Sequence, residues 1–532
     1  MRRLATAAIF AAAIATVGAV PGIGLALSGA AQLQATGAGA PGQIRSGGAQ
    51  VIAGSYLVVL RDGAAAGRVA ELATSRGARI GHRYSAALHG FEVAADEATA
   101  QRLAAHPAVS YVERNATYRI SQADRVPQAT TTPTGGTQLN PPWGLDRIDQ
   151  RFLPLNASYT YPNTGAGVRI YVMNTGIRFT HVEFGGRAVS GRDVIDNDND
   201  ASDCNGLGTH LAGIAGGATY GVAKSATLVA VRLVNCQGSA SIAQVVAGID
   251  WVTANAVKPA VALLTVGGSA TATFDAAVRS SIASGVTYVV AAGSSNSDAC
   301  SFSPGRVAEA VTVSAADSND NKTSFTNFGT CVDIFAPGVS ITSAWYTSNT
   351  AISTISGTST AAAHVAGGAA LLLAASPTWS PAQVAAGLFT NATLNAVNNP
   401  GAGTPNRLLY VRFAPPNPCS RANGANVAVP DFPGAAVNST VTVSGCARAP
   451  STAATVEVHI LHPFRGDLQI DLVAPDGSAY RLLSPSADSG DNIHTTFVVN
   501  LSAELANGSW RLRVTDCRTG NTGQIDGWAL NL

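Results

Sequence analysis

The segment from residue 141 to residue 413 alternates short apolar strands with helical stretches, and this pattern constrains the fold more than any other feature. Almost every residue in these strands is apolar, which is typical of parallel strands covered on both faces. The stretches between them have helical spacing, as crossover connections in a parallel sheet require. We therefore predict a parallel α/β domain. The predicted strands are residues 168–173, 227–233, 261–266 and 286–291, and the predicted helices are residues 241–255 and 273–284.

A smaller module precedes this domain. Its pattern predicts strands and helices in the order βαββαβ, which is that of a ferredoxin-like α+β unit, with Asp96 as the N-cap of the second helix. Residues 32–50 are rich in Gly, Ala and Gln, so we expect a flexible leader, and residues 121–138 have the composition of a linker. The predicted strands are residues 56–60, 80–84, 88–93 and 109–113, and the predicted helices are residues 64–75 and 96–105.

The C-terminal part has a different periodicity. Residues 414–423 begin with Ala-Pro-Pro-Asn-Pro and form a stiff linker. Residues 424–532 then alternate apolar and polar positions, as in 456–460 and 468–472, and turn signals such as Pro-Asp-Gly at 475–477 separate these runs. This pattern predicts an all-β jelly roll or β-sandwich.

The N-terminus carries a targeting signal. Arg2 and Arg3 precede an apolar run over residues 4–27, and small residues follow at 28–31. This order is that of a secretory signal peptide over residues 1–31, so we expect a secreted protein with no membrane attachment after cleavage. The apolar run is also long enough for a membrane anchor, which is the alternative.

Charge and cysteine content narrow the function further. Lys and Arg total 33 against 32 Asp and Glu, a net charge of +1 that gives no support for a nucleic-acid partner. Seven cysteines fit an oxidising compartment, and no Cys-x-x-Cys pair points to zinc. The spacing of cysteines alone does not determine how they pair.

One segment carries the chemistry of a nucleophile. In residues 356–367 a Gly-Thr-Ser turn leads directly into a helix of small residues, which places the Ser359 hydroxyl at a helix N-terminus. The helix dipole there favours a developing oxyanion. Alternatively, Ser359 only caps an Ala-rich helix.

Neighbouring segments resemble the subtilisin-like serine peptidases, in particular the branch of proteinase K and aqualysin. The specific segments are residues 143–155, 184–187, 203–206 and 335–338. The resemblance implies an inhibitory propeptide over residues 50–120 and a peptidase domain over residues 139–413. It also implies a P domain of the proprotein convertase type over residues 424–532, marked by Gly-Asp-Leu at 466–468, Trp-Arg-Leu at 510–512 and Gly-Trp at 527–528.

The catalytic positions depart from that family. Asn174 stands in an Asn-Thr-Gly motif where the family has its triad aspartate, and Leu207 opens Leu-Gly-Thr-His where the family has its triad histidine. Ser294 replaces the asparagine that donates to the oxyanion. Ser359, at the nucleophile position, is the triad residue that remains. Leucine cannot accept or donate a proton, so the general base and acid are lost.

Other positions near the site differ as well. Leu263 and Thr265 replace an Asn and a Ser on the strand that flanks the substrate, and Thr360 and Ala363 replace a Met and a Pro after the nucleophile. His210 and His364 match histidines that the family keeps as structural residues. His181 matches no triad position, and we expect it to pack or to face solvent.

The resemblance also implies disulfides and calcium sites. It pairs Cys204 with Cys236 and Cys300 with Cys331, and we expect Cys419–Cys446 as a third bridge, which leaves Cys517 free. A first calcium site would use Asp333 and the carbonyls of Ala308 and Ala310. A second would use Asp146, Asp149 and Gln150. Asn156 replaces its usual aspartate, so we expect weaker binding there. These carboxylates could instead lie on a solvated surface or cap a helix. The aspartates at 196–200 form a polar turn more readily than a metal loop.

Together these features predict a pseudopeptidase that retains a peptide-binding groove. We expect a monomer whose partners are its own propeptide and a peptide or protein ligand in the groove. An active serine endopeptidase that uses Ser359 with an unrecognised base is the alternative. A surface protein that makes contacts through its P domain is a third possibility with little support.

Overall fold

A computed structural model of the chain describes residues 43–120, 136–413, 419–423 and 426–532. The predicted signal peptide over residues 1–31 lies outside the described residues. The described chain contains the three regions that the sequence pattern predicts: an α+β module, a parallel α/β domain and an all-β domain.

The first module has the ferredoxin-like topology that its pattern predicts. Its sheet has the order β1-β5-β2-β4-β3, with α1 and α2 as its helices. Asp96 is the N-cap of α2, and its carboxylate accepts from the backbone N–H of Thr99 at 2.7 Å. The elements are β1 (Ile44–Arg45), β2 (Val51–Leu60), α1 (Ala66–Thr74), β3 (Arg79–Tyr84), β4 (Gly90–Ala94), α2 (Glu97–Ala104) and β5 (Val109–Arg119).

The two ends of this module differ from the prediction. Ile44 and Arg45, placed in the flexible leader, form β1, which pairs with β5 in parallel, and the Arg45 guanidinium lies over the Tyr111 ring at 3.7 Å. Strand β5 continues six residues past Glu113, because its last residues pair with a strand of the next domain.

The middle domain is built on a nine-stranded sheet of order β20-β21-β17-β16-β14-β12-β8-β10-β9. All neighbours in it are parallel except the pair β20–β21. Its strands and helices are β6 (Thr137–Leu139), α3 (Trp143–Ile148), β7 (Ser158–Thr160), β8 (Arg169–Asn174), β9 (Ala188–Asp193), α4 (Leu207–Gly216), β10 (Thr227–Arg232), β11 (Ser239–Ser241), α5 (Ile242–Asn255), β12 (Ala260–Leu264), β13 (Gly268–Ser269), α6 (Ala272–Ala283), β14 (Thr287–Ala291), β15 (Phe302–Ser303), β16 (Val311–Ala316), β17 (Ile334–Pro337), β18 (Ile341–Ala344), β19 (Ile352–Ile355), α7 (Thr358–Ala375), α8 (Pro381–Asn391), β20 (Thr393–Leu394) and β21 (Arg407–Leu408).

The four predicted strands and both predicted helices are present, within two residues at each end. Helix α5 begins at Ser241, whose hydroxyl and the side chain of Gln244 form a reciprocal capping box. Helices α4 and α7 share one hydrophobic core against the sheet, and helices α5 and α6 belong to a second core on the other side. Helix α7 is long and apolar enough to cross a membrane, but most of it is buried inside the protein.

The C-terminal domain is an antiparallel β-sandwich, as the alternating pattern predicts. One sheet has the order β22-β30-β25-β28, with β23 also paired to β30, and the other has the order β24-β29-β26-β27. Trp510 and Trp528 lie in the core between them. The strands are β22 (Ser420–Asn423), β23 (Val427–Val429), β24 (Val437–Val443), β25 (Ala454–Leu461), β26 (Leu468–Val473), β27 (Ala479–Leu483), β28 (Ile493–Val499), β29 (Gly508–Asp516) and β30 (Gly523–Asn531).

The structure forms three disulfides and shows where two of the predicted linkers end. The bonds are Cys204–Cys236, Cys300–Cys331 and Cys419–Cys446, and Cys517 is free.

Residues 420–423, which the sequence places in the second linker, form strand β22 of the sandwich. Gln138, placed at the end of the first linker, lies in β6, where it pairs with Tyr159. Residues 121–135 and 414–418 lie outside the described residues.

Candidate active site

Ser359 lies in the first turn of α7, as its Gly-Thr-Ser motif predicts. Gly357 precedes the helix, and its backbone N–H donates to the carbonyl of Gly338 at 2.8 Å. Ser359 is partly exposed, whereas Thr358 and Thr360 on either side are buried. Within the residues that the structure describes, the Ser359 hydroxyl has no hydrogen-bond partner, so no described side chain is placed to take its proton.

The segments that carry Asn174 and Leu207 meet where β8 ends and α4 begins. The N–H of Gly208 donates to the Thr175 hydroxyl at 2.9 Å. The two backbones are so close that a Cβ on Gly208 would lie 2.0 Å from the carbonyl oxygen of Gly176. Gly208 therefore permits the contact that brings these two predicted site positions together.

The Asn174 side chain is buried and its polar atoms are satisfied locally. Its amide donates to the Thr265 hydroxyl at 2.9 Å, and its carbonyl oxygen accepts from the Thr175 N–H at 2.9 Å. The Thr265 side chain, which the sequence places on the strand flanking the substrate, is therefore engaged with Asn174.

Leu207 is the first residue of α4 and is 1% exposed. It belongs to the same hydrophobic core as Ala362 and Ala363 of α7. The packing of this side chain therefore excludes water from the predicted position of the general base. Leu263, also expected near the groove, is fully buried in the same core.

Ser294 lies beside the nucleophile turn. Its hydroxyl is 3.3 Å from the hydroxyl of Thr358, the residue before Ser359. The structure thus places Ser294, the predicted oxyanion position, next to the start of α7.

Each histidine of this domain has a ring nitrogen within hydrogen-bond distance of a main-chain carbonyl oxygen. His210 Nε2 lies 3.0 Å from the carbonyl of Ser353, and His364 Nδ1 lies 2.9 Å from that of Thr360. Burial lowers the pKa of both imidazoles to about 4, so they are neutral at ordinary pH. His181 Nε2 lies 2.8 Å from the carbonyl of Ala351, and its Nδ1 accepts from the Glu183 N–H at 3.2 Å. It packs in the protein interior rather than facing solvent.

The end of the first module binds to the middle domain as an added strand. Strand β5 pairs antiparallel with β11, so that Tyr118 lies opposite Ala240. The N–H of Ile120 then donates to the carbonyl of Gly238 at 3.0 Å. The first module therefore fills a strand-binding site of the middle domain with its own chain.

Tyr118 anchors this tail. Its hydroxyl donates to the carbonyl of Ser269 at 2.8 Å, and its ring lies 5.8 Å from that of Phe274. Gly268 permits the approach, because a Cβ there would come within 2.2 Å of the ring. The tail thus lies between β11 and β13, with an aromatic side chain buried at its centre.

Polar side chains fasten the rest of the module to two helix N-termini. Glu113 accepts from the N–H of Thr273 at 2.8 Å at the start of α6, and Asn115 accepts from the N–H of Ala243 at 3.2 Å at the start of α5. In the opposite direction, Asp250 accepts from three successive N–H groups of the module, at Ser85, Ala86 and Ala87. Burial raises the pKa of Glu113 despite these bonds.

The roles of two groups of residues were not predicted from the sequence. Asp203 fixes the loop before Leu207, since its carboxylate accepts from the N–H groups of Asn205, Gly206 and Thr209 at 2.8–2.9 Å. Tyr118, Glu113 and Asp250 bind across domains. A charged residue at an apolar strand position, as at Glu113, is the sequence signal that could have indicated such a contact.

Two predicted metal ligands have buried oxygen atoms without a donor. Asp149 Oδ1 and Gln150 Oε1 have no hydrogen-bond partner among the described residues. Burial raises the pKa of Asp149 to about 6. Asp146 accepts from the N–H groups of Asn156 and Ala157 at 3.1 and 2.8 Å, which leaves other lone pairs free. Oxygen atoms of this kind fit a calcium ion.

At the other predicted metal site, Asp333 accepts from the Thr312 N–H at 2.8 Å, and burial raises its pKa to about 6. In the described part of the chain, no three His, Cys, Asp or Glu side chains form a metal-binding group. The predicted ligand sets combine carboxylate oxygens with amide or main-chain oxygens. Asn156 is engaged in a local turn, because its side-chain oxygen accepts from the Ser158 N–H at 2.9 Å.

Three family models match this chain. The model of the subtilase family matches residues 165–409, that of the peptidase inhibitor I9 matches residues 55–121, and that of the proprotein convertase P-domain matches residues 451–532. These matches cover the three regions of the fold in the same order.

Similar proteins include named proteinases. The chain is 52% identical over 337 residues to an extracellular serine proteinase of Thermus sp. (strain Rt41A), covering 63% of this chain and 79% of the relative. It is 50% identical over 308 residues to alkaline serine exoprotease A of Vibrio alginolyticus, covering 58% of this chain and 56% of that protein. The crystal structure of a cold adapted subtilisin-like serine proteinase matches with a TM-score of 0.51 and 50% identity, over 52% of this chain and 100% of the other.

Proposed function

The chain belongs to the subtilase family, and from this premise we propose that it is a secreted pseudopeptidase that binds an extended peptide without hydrolysing it efficiently. Its extracellular location agrees with that of the named extracellular relative. The observation that supports the proposal is the burial of the apolar Leu207 side chain, at the position that the resemblance assigns to the general base.

The lost groups act at successive points of peptide hydrolysis. Ser359 needs a base to become a nucleophile, and a leaving amine needs an acid, and leucine supplies neither. In subtilisin itself, loss of the triad histidine costs about 10⁶ in rate, and loss of the side-chain oxyanion donor costs about 10²–10³. These effects do not add, because a triad acts as a unit. What remains is a hydroxyl at a helix N-terminus in a groove that binds peptide.

The ligand would bind as an added strand. Residues Ser239–Ser241 offer their backbone groups to an extended chain, and β13 lies on the other side of the tail. The module's own tail now uses these groups, so a ligand must displace it. Residues 50–120 would therefore act as a propeptide that closes the groove, and residues 424–532 as an attached P domain.

Calcium would stabilise this scaffold. At the second site, Asp149 and Gln150 would supply the donor-free oxygens described above, with Asp146 beside them. At the first, Asp333 would act with the carbonyls of Ala308 and Ala310. When bound, the ion would neutralise buried carboxylates and join the chain segments that carry its ligands.

The alternative is an active secreted serine endopeptidase, and the names of the two bacterial relatives, a serine proteinase and a serine exoprotease, favour an active enzyme. A fluorophosphonate probe distinguishes the two functions, because it reacts only with an activated serine. We expect no labelling of the wild-type protein above that of Ser359→Ala at any pH from 6 to 10. Labelling that depends on Ser359 would refute the pseudopeptidase proposal.

A further inference from the structure

The segment before β2 wraps around β5. Strand β1 lies on one side of β5 and β2 lies on the other, and in β1 Arg45 is directly opposite Glu113. The chain crosses β5 between these two strands, and the carbonyl of Gln50 then accepts from the Thr117 N–H of β5 at 2.8 Å. Residues 44–50, which we call the strap, therefore hold β5 from both sides.

The crossing requires glycine. Gly47 is buried, and a Cβ on it would lie 1.5 Å from the carbonyl oxygen of Arg114 in β5. Gly48 has a φ of +97°, a conformation that residues with a Cβ rarely adopt. These two glycines allow the strap to pass directly against the backbone of β5.

The strap also reaches the middle domain at the point where the tail is anchored. A Cβ built on Gly48 would be 3.5 Å from Thr271 Cγ2 and 3.7 Å from the carbonyl oxygen of Ser269, which is ordinary van der Waals contact. The Tyr118 hydroxyl donates to the same Ser269 carbonyl at 2.8 Å and lies 3.2 Å from the Thr271 hydroxyl. The strap and the tail therefore lie against the same two residues of the middle domain.

A charged side chain fixes the start of the strap. The Arg45 guanidinium carbon lies 3.7 Å from the centroid of the Tyr111 ring, where the face of the ring attracts a cation. The Tyr111 hydroxyl is 3.4 Å from that of Thr273 at the start of α6. Arg45 thus covers a side chain that itself contacts the middle domain.

We propose that the strap is an autoinhibitory contact that keeps the tail, residues 116–120, in the strand-binding site of the middle domain. The proposal deepens the function proposed above and rests on it, because it concerns access of a ligand to the same site. A ligand binds there only in the fraction of molecules whose tail has left, so the strap lowers the apparent affinity for any competing strand. Loss of the Arg45 contact should raise that fraction about two- to thirtyfold, from the contribution of a cation–π pair.

Amide hydrogen exchange of the full chain tests the strap, because it reports the local opening of each segment. The N–H of Ile120 donates to the carbonyl of Gly238 in the middle domain, so its exchange reports release of the tail. A Ser359→Ala background keeps the tail attached whether or not the chain can cleave itself. In that background we expect the tail to exchange about two- to thirtyfold faster in Arg45→Ala.

A second strap variant and two controls accompany Arg45→Ala. Gly47→Ala should accelerate exchange of the tail further, because its Cβ cannot fit beside β5 and the whole strap must move away. Residues 90–94 of β4 should exchange at the background rate in both strap variants. Arg76→Ala and Gly67→Ala are the matched controls, since Arg76 is exposed and a Cβ on Gly67 would meet nothing within 4 Å beyond its own helix. Neither control should accelerate exchange of the tail.

Two results would overturn the proposal. One is a tail that exchanges at the background rate in both strap variants. The other is an equal acceleration in β4, because the strap would then only stabilise the module as a whole.

A fluorescein-labelled peptide with the sequence of residues 114–120 tests ligand access separately. It should bind Arg45→Ala more tightly than the background by the factor that exchange shows. It should also bind Tyr118→Ala, in which the chain's own tail has lost its anchor. If exchange of the tail accelerates but the peptide binds none of these proteins, the strap holds the tail and the proposed peptide-binding function is wrong. If the peptide binds Tyr118→Ala but the strap variants change neither exchange nor affinity, the binding site is real and the strap is refuted.

Discussion

Restoring the proposed catalytic pair should reveal an energetic coupling between positions 174 and 207. Leu207→His removes a buried leucine, which costs about 1.5–3 kcal/mol, and it leaves an imidazole without a partner, which costs about 1–3 kcal/mol more. In Asn174→Asp the carboxylate can still accept from the Thr175 N–H, and the Thr265 hydroxyl can rotate to donate to it. The single variant nevertheless buries an unpaired charge.

In the double variant the new imidazole and the new carboxylate satisfy each other. A hydrogen bond to a charged group contributes about 1.5–3 kcal/mol, so the double variant should be more stable than the sum of the singles predicts by about that amount. Urea unfolding at pH 7 of the wild type, both singles and the double measures this coupling.

The matched control is Ile214→His, seven residues further along α4 and about 10 Å away along its axis. Its effect should simply add to that of Asn174→Asp. Additivity at position 207 as well would mean that the two positions do not face each other, which would refute their assignment as a disabled catalytic pair.

Measuring peptide hydrolysis tests the same substitutions in a second way. Adding Ser294→Asn to the double variant should recover measurable hydrolysis of a peptide substrate, because the surrounding segments still match the family. If the triple variant folds but does not hydrolyse peptide, the groove has diverged as well, and Leu263 and Ala363 are where such divergence is expected.

Three further results are expected. Chelation should lower the melting temperature of the wild type and have less effect on Asp333→Ala; equal shifts would place the ion elsewhere. Asp149 and Asp333 have pKa values of about 6 when folded and about 4 when unfolded, so without calcium they contribute stability that is complete below pH 4 and is lost as the pH rises through 6. Urea unfolding of chelated protein between pH 4 and 7 should show this fall, and a rise would contradict it. Replacing Cys419 and Cys446 with serine should cost about 3–4 kcal/mol of unfolding free energy, from the 27-residue separation that the disulfide closes. A loss below 1 kcal/mol in urea unfolding would contradict that estimate.

The sequence predicted what depends on local periodicity. Patterns within a few residues predict the order of strands and helices along the first module. They also predict the buried parallel strands and the helix cap at Asp96. The candidate site could be predicted only through resemblance, because neither Asn174 nor Leu207 has any property of its own that marks a lost catalytic group.

Contacts between domains could not be predicted in this way. The extension of β5 to Arg119 depends on β11, which lies more than a hundred residues away in the chain. The stack of Phe152 on His459 depends on the docking of two separately folded domains. A single sequence contains no periodicity that links such positions, so these features appear only when the domains are placed together.

The fate of the propeptide tests the central claim most directly. Self-cleavage in the 121–138 linker would need an activated Ser359, and in the proposed site Leu207 stands where the activating base would be. In protein made in a protease-free system, intact-mass measurement should show residues 50–120 still attached in both the wild type and Ser359→Ala. The tether would then keep the tail in the groove at high effective concentration. A wild-type species that begins between residues 121 and 141, absent from Ser359→Ala, would show that the chain cleaves itself and would contradict the account.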